Sequence, residues 1–402
     1  MKLSSLKKLS AIMALMTILC IATCSLFVSF KVYLFQGSRK SYVKTSTQQP
    51  HSLQISPYDD YETYTFGKLT RHNFSVQDLI RDVNVSVTGS DVIVFLRVQK
   101  TGSTTFENHL QHDLNLKDWC QCNASKNLLS QRDCQKKWRY DVLFKFKDNA
   151  WPCRLHADWT YFHECVDGVM KKYRRGQSNQ RHLYVTMVRD PLQRFLSEWK
   201  QVSDRAATWI GVKLICNGHA ATEAELPPCF SENWLNVTLD GFMDCASNLG
   251  INRQTRMLAN LSIVGCYNTS VSGFTFDERH YRMLASAKEN LRNMVYFGLT
   301  GYQELSQILF ENTFNLNFVK KFKDTPPSKT WSGRVKLPNA QRDKILHLNR
   351  FDVMLYQYAK DLFFQRLQML AERTKDSSLR KFIHTKIGHI ISGPKREPTL
   401  PA

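Results

Sequence analysis

The chain has 402 residues, more than one ordinary domain requires, and carries a formal net charge of +20 with a pI near 9.5. A surplus of that size implies a polyanionic partner or a membrane surface. No Cys-x2-Cys pair and no Asp-x-Asp pair occurs in it, which excludes a common zinc spacing and the metal-binding pair of a glycosyltransferase.

Residues 9–30, LSAIMALMTILCIATCSLFVSF, run for 22 positions without a charge, enough to cross a bilayer at about 1.5 Å per residue. The run exceeds the apolar core of a cleaved signal peptide and lacks an obvious small-x-small cleavage site. It is expected to be a single N-terminal transmembrane helix, an uncleaved signal-anchor. Residues 1–8, with Lys2, Lys7 and Lys8, would then be a cytoplasmic tail. Residues 31–70 follow as a stem, polar from Gln36 onward and without apolar periodicity.

Two features place the remainder in an oxidising lumen, with type II topology. Asn-x-Ser/Thr sequons begin at Asn73, Asn84, Asn123, Asn236, Asn260 and Asn268, and are expected glycosylation sites. Nine cysteines follow the anchor: Cys120, Cys122, Cys134, Cys153, Cys165, Cys216, Cys229, Cys245 and Cys266. Their spacing suits disulfides rather than a metal, the odd number leaves at least one over, and the sequence does not fix the pairing. In such a lumen the abundant polyanions are sulfated glycosaminoglycans, not nucleic acid.

Residues 71–375 form the expected globular body. Apolar runs at Val92–Val98, Leu183–Val188 and Met294–Leu299 read as strands buried on both faces, separated by helical patterns. The fold class is therefore α/β, a central parallel sheet flanked by helices. Ile345, Leu348, Phe351, Leu355, Tyr358 and Leu362 give the stripe of a long helix over 339–373 with one break. Residues 376–402 are basic, end in GPKREPTLPA, and are expected to be disordered.

The stretch VIVFLRVQKTGSTTFENHL, Val92–Leu110, delivers a strand into a glycine-containing turn that opens a helix. Such a P-loop-like turn presents backbone N–H groups and a positive dipole end to an anion. Lys100 adds a point charge, and Thr104 or Thr105 would cap the helix. The lysine precedes the single glycine, so this is not the Walker spacing and a nucleotide triphosphatase is disfavoured. A second unit, HLYVTMVRDPLQRFLSEWKQV, places Arg189 at a strand end, Asp190 as helix cap and Pro191 at the first helical position. Ser197 lies two turns on, nearly on the cap's side of the helix. The alternative is structural: an Asp190–Arg194 pair at the helix start, with Ser197 facing a neighbour. Two grips on adjacent strand–helix units suit a nucleotide phosphorylated at two separate places, such as 3′-phosphoadenosine 5′-phosphosulfate (PAPS).

The chain resembles the heparan-sulfate 6-O-sulfotransferases among Golgi carbohydrate sulfotransferases, in order from about residue 90 to 370. The strings that carry the resemblance are QKTGSTTF (Gln99–Phe106), LHADW (Leu155–Trp159), TMVRDPLQRFLSEW (Thr186–Trp199) and ATW (Ala207–Trp209). ELPPC (Glu225–Cys229), NRQTRMLANLSIVGCYN (Asn252–Asn268), FGLT (Phe297–Thr300) and FENTFNLNF (Phe310–Phe318) extend it. Where the family has Lys-Thr-Gly-Gly-Thr-Thr, this chain has Ser103 at the second glycine, so Ser103 must accept that glycine's backbone angle or the loop must shift.

The resemblance implies that Lys100, Thr101, Gly102, Ser103, Thr104 and Thr105 cradle the 5′-phosphosulfate of PAPS. Lys100 would stabilise the leaving phosphate, and Arg189 and Ser197 would hold the 3′-phosphate. It singles out His156, one of twelve histidines and no better placed by sequence than His163, as the base for the sugar 6-hydroxyl. No metal is required by such a mechanism. Heparan sulfate is the implied acceptor, with Trp209, Lys136 and Arg139 as candidate contacts; the oligomeric state is not readable. Transfer to another position (2-O of uronic acid, or chondroitin) and a non-catalytic heparan-binding membrane protein are the alternatives.

Overall fold

A computed structural model of the chain describes residues 71–83, 85, 91–115, 143–144, 153, 156–173, 181–206, 214–230, 233–268 and 273–392. The expected tail, anchor and stem, the candidates Lys136, Arg139 and Trp209, the sequons Asn84 and Asn123, and Cys120, Cys122 and Cys134 lie outside those residues. Among the described residues no helix is long and apolar enough to cross a membrane.

A short helix α1 (Val76–Leu79) precedes β1 (Asp91–Leu96) and α2 (Ser103–His112). Then come β2 (Leu143–Phe144), α3 (Trp159–Tyr173), β3 (Arg181–Val188) and α4 (Pro191–Arg205). A small hairpin of β4 (Ile215–Cys216) and β5 (His219–Ala220) leads to α5 (Leu239–Asp244), α6 (Arg253–Leu258) and α7 (Phe276–Asn293). The chain continues through β6 (Tyr296–Leu299), α8 (Gln303–Phe314), α9 (Trp331–Arg334), α10 (Asn339–Leu348), α11 (Arg350–Arg373) and α12 (Ser377–Ser392).

β2, β1, β3 and β6 form one parallel sheet in that order. Every residue of β1 and β6 is buried, which is why these strands read as unbroken apolar runs. Asp91 is the exception in composition, and it is met by a two-pronged contact from Arg181 at 2.7 and 2.6 Å on the paired strand. Because β1 has β2 on one side and β3 on the other, the strand order reverses there. The C-terminal ends of β1 and β3 therefore flank a crevice where ligands bind in open α/β sheets.

The long helical segment breaks at Asn349, which separates α10 from α11. The side chain of Asn252, itself in a left-handed backbone conformation, accepts from the N–H groups of Phe351 and Asp352 at 3.1 and 3.2 Å and so caps α11 from outside.

Residues 377–392 correct the expectation of a disordered tail after Asp376: they form α12. Asp376 accepts from the N–H groups of Ser378 and Leu379 at 2.8 and 3.1 Å, and Ile383 and Ile387, one turn apart, are buried. Lys386 pairs with Glu304 at 2.6 Å, so the basic composition that suggested disorder is the solvent face of a docked helix. The globular body thus extends past residue 375.

Among the described residues, three disulfides join Cys153–Cys165, Cys216–Cys266 and Cys229–Cys245, with Cα separations of 5.5, 5.8 and 5.7 Å. Among the sequons, Asn73 and Asn236 are exposed, whereas Asn260 and Asn268 are half-buried. The Asn260 amide oxygen accepts from the Ser262 N–H at 3.0 Å.

Candidate active site

The turn after β1 is built from its own side chains. Thr101 and Ser103 both donate to the Val98 carbonyl at 2.9 Å, and their hydroxyls lie 2.8 Å apart. Both residues are buried, so what this turn offers a ligand is backbone N–H, not those hydroxyls. Left-handed backbone falls at Lys100 (φ 65°) and Gly102 (φ 73°) and not at Ser103, so serine meets no strain at that position. A Cβ at Gly102 would come within 3.1 Å of Thr300 Cγ2. Neither Thr104 nor Thr105 caps α2, contrary to expectation: Gly102 holds the cap position with no side-chain bond. Thr104 instead accepts from Arg97 at 3.0 Å, and Arg97 pairs with Glu107 at 2.7 Å, which ties the turn to the first turns of its helix.

The turn after β3 meets it. Asp190 caps α4 by accepting from the Gln193 N–H at 2.9 Å, with Pro191 at the first position, as expected. Arg189 donates to the Lys100 carbonyl at 3.0 Å and to the Ser332 hydroxyl at 2.8 Å, bridging β1's turn and α9. Arg194 does not pair with Asp190; it is fully buried and donates to Glu198 and to the Gly250 carbonyl.

Lys100, Arg189 and Ser197 line one cavity of about 370 Å³, together with Lys200, Arg205 and Trp331. The Lys100 ammonium donates to Gln201 Oε1 at 2.5 Å, one turn beyond Ser197. Burial, then the charge of Arg189, pulls the Lys100 pKa below its ordinary value, and burial lowers that of Arg189 also. An entering dianion would relieve both, which is the electrostatic signature of an anion site.

His156 sits beside this turn. Its Nδ1 lies 3.2 Å from the Arg97 carbonyl, and since a carbonyl only accepts, Nδ1 carries the proton and Nε2 the lone pair. Burial, then the nearby Arg97 and Arg253 charges, pulls its pKa down to about 4, so the ring is neutral at mildly acidic pH. Two residues on, Asp158 accepts from the Tyr267 hydroxyl and from the Tyr161 N–H, and the Cys153–Cys165 bond brackets the segment. His163 is elsewhere: it is exposed and stacks on Tyr184.

The sequence matches the model of the family described as Sulfotransferase family over residues 83–359. The chain belongs to the sulfotransferase family. It is 44% identical over 314 residues to the Danio rerio protein named heparan-sulfate 6-O-sulfotransferase 3-B, covering 76% of this chain and 72% of that one. It is 42% identical over 368 residues to Gallus gallus heparan-sulfate 6-O-sulfotransferase 2, with 89% of each chain covered. Homo sapiens heparan-sulfate 6-O-sulfotransferase 3 is 46% identical over 300 residues, 74% of this chain and 62% of that protein.

The sulfotransferase fold thus brings Lys100, Arg189, Ser197 and His156 to the ends of two neighbouring strands. Sequence reasoning missed Lys200, Gln201 and Arg205, although they follow Ser197 by three, four and eight residues and so share its helix face. It also missed Trp331, Ser332 and Gln254, which meet Arg189's surroundings from distant parts of the chain with no local signal.

Proposed function

We propose that this protein is a membrane-anchored Golgi enzyme that transfers the sulfuryl group of PAPS to the 6-hydroxyl of glucosamine in heparan sulfate. The observation that carries the proposal is the convergence of Lys100, Arg189 and Ser197 on one cationic cavity, with the neutral ring of His156 beside the same turn. The names of the relatives supply the acceptor and the position. The anchor at 9–30 and the lumenal setting rest on the sequence, and three disulfides accord with them.

The donor residues fit a nucleotide with phosphates at two separated positions. Backbone N–H groups of 101–105 and Lys100 face the phosphosulfate, and Arg189 and Ser197, with Lys200 near them, face the 3′-phosphate. His156 Nε2 takes the proton as the 6-oxygen attacks sulfur in line. The sulfur–oxygen bond to the nucleotide breaks, and its electron pair stays on the phosphate, where Lys100 meets the charge. This assignment needs no metal ligand from the chain.

The test incubates the full-length protein in detergent with labelled PAPS and, separately, heparan sulfate, 6-O-desulfated heparin and chondroitin, followed by disaccharide analysis. Label at glucosamine C6 is expected. Label on uronic acid C2 or on chondroitin would replace the acceptor assignment, and absence of transfer with intact donor binding would remove the catalytic one.

A further inference from the structure

Lys100 reaches the cationic cavity from a turn, on a flexible four-carbon stem. The turn fixes its backbone but leaves its ammonium to be fixed by something else. The ammonium is met by Gln201 of α4, whose Oε1 accepts from it at 2.5 Å. α4 is a firm base for that contact. Asp190 and Pro191 set its start, Phe195, Leu196 and Val202 are buried, and Trp199 Nε1 donates to the Val237 carbonyl at 2.9 Å. Ser197, Lys200, Gln201, Asp204 and Arg205 follow at helical spacing and line the same cavity.

Lys100 and Lys200, which both line this cavity, are met by different chemistry. Lys200 pairs with the Asp204 carboxylate at 2.8 Å, one turn on, and lies 4.9 Å over the Trp331 ring. A carboxylate offsets the charge it binds. Lys100 is met instead by a neutral amide oxygen, which takes one of its three hydrogens. That contact gives the ammonium a direction, keeps its full positive charge, and leaves two N–H donors for an anion. Donors fixed in this way act most strongly where charge develops in a transition state, because nothing has to turn when the charge appears.

We infer that Gln201 is a positioning residue for sulfuryl transfer: its amide oxygen aims the Lys100 ammonium at the leaving phosphate oxygen without neutralising it. The inference rests on the reading of the cavity as the PAPS site and deepens it. Gln201 then serves the chemical step and not donor affinity. The backbone N–H groups of 101–105, Arg189 and Ser197 hold the nucleotide whether or not the ammonium is aimed. A mobile Lys100 still attracts the donor, but it meets the departing oxygen in only a fraction of bound complexes.

Two variants of the full-length protein test this. Gln201→Met keeps side-chain length and removes the acceptor atom. Its kcat for total sulfate transfer is expected to fall about tenfold, the scale of one hydrogen bond to a charged group, while calorimetric affinity for adenosine 3′,5′-bisphosphate holds. Gln201→Glu keeps the hydrogen bond but sets a carboxylate against the incoming dianion, so donor KM is expected to rise about tenfold. A further readout needs no turnover: the acylation rate of Lys100 against pH, followed by mass spectrometry. In the wild type, burial and the charges of Arg189, Arg205 and Arg194 lower the Lys100 pKa, Glu198 opposes them, and Asp204 is paired to Lys200. Loss of the acceptor should move that pKa further down, and the carboxylate should move it up, since each acts on the charged form. A packing role for Gln201 would move it in neither variant. Unchanged kcat in Gln201→Met overturns the proposal. A gain in kcat or in donor affinity does so too, because the amide would then compete with the donor, as does a loss of nucleotide affinity that matches the loss of kcat. If Gln201→Met fails to fold, the acylation curve of Gln201→Glu decides alone: an upward shift supports the contact and an unmoved curve overturns it. Failure of the donor reading shows separately, as wild-type protein that does not bind adenosine 3′,5′-bisphosphate.

Discussion

His156, the proposed base, shows how surroundings set the chemistry of a residue type. An exposed imidazole would be largely protonated below about pH 6 and useless as a base there; burial and two guanidinium groups hold this one near 4. The neutral form persists above that value, so the acid limb of kcat/KM is expected near pH 4 and not near 6.5. Stability follows the same sign. Between about 6.5 and 4 the unfolded chain binds a proton that the folded ring resists, so His156 costs stability as pH falls through that window. His156→Ala should abolish transfer, leave adenosine 3′,5′-bisphosphate binding intact, and make Tm less sensitive to acid in that window. Substantial residual transfer by the variant, or an acid limb at 6.5 in the wild type, would remove His156 from the base role. Lys100 shows the complementary case: a left-handed backbone at a non-glycine residue is strained, and it occurs where the side chain lines the cationic cavity.

At the scale of elements, the turn after β3 depends on a short helix, α6, that does not line the cationic cavity. Gln254, in the first turn of α6 and fully buried, accepts from the Arg189 N–H and donates to the Arg189 carbonyl, both at 2.9 Å. Its own N–H and that of Thr255 donate to Asp352 of α11, and Arg253 beside it holds Glu198 of α4. Three helices therefore fix the backbone from which Arg189 reaches Lys100 and Ser332. Gln254→Met is expected to raise the donor KM about tenfold, since two hydrogen bonds on one backbone unit are lost. Thr255→Val, which removes only the hydroxyl bond to Asp352, should lower Tm without moving donor KM; equal effects of the two on donor KM would reduce Gln254 to a packing residue. This layer was invisible in the sequence, because Gln254 and Arg189 are 65 residues apart and nothing local marks the pair. By contrast β1, β3, β6 and the Asp190–Pro191 helix start were legible, since burial on both faces and end-capping leave their signature in adjacent residues. Lys200 and Arg205 were legible in principle from the helical period around Ser197, and only the face of α4 that matters had to be chosen.

At the scale of the whole molecule, composition misled where packing decides. Residues beyond Asp376 are basic and end in a proline-rich stretch, yet Ile383 and Ile387 are buried against the body and Arg380 donates to the Ala371 carbonyl of α11 at 3.0 Å. Two isoleucines one turn apart are a weak periodic signal, and they become a helix because α11 offers a surface to receive them. A fully buried isoleucine contributes about 1.5–3 kcal/mol, part of which offsets the entropy of ordering the segment. Removal of residues 377–402 is therefore expected to lower Tm by roughly 5 °C, given the 2–4 °C per kcal/mol of a body this size. No residue of α12 lines the cationic cavity, so the folded fraction should keep its kcat and its affinity for adenosine 3′,5′-bisphosphate. A truncated chain with unchanged Tm would mean that α12 adds nothing to the core. Loss of kcat at a temperature where the chain remains folded would mean that α11 transmits the contact to Asp352 and so to the strand-end turns.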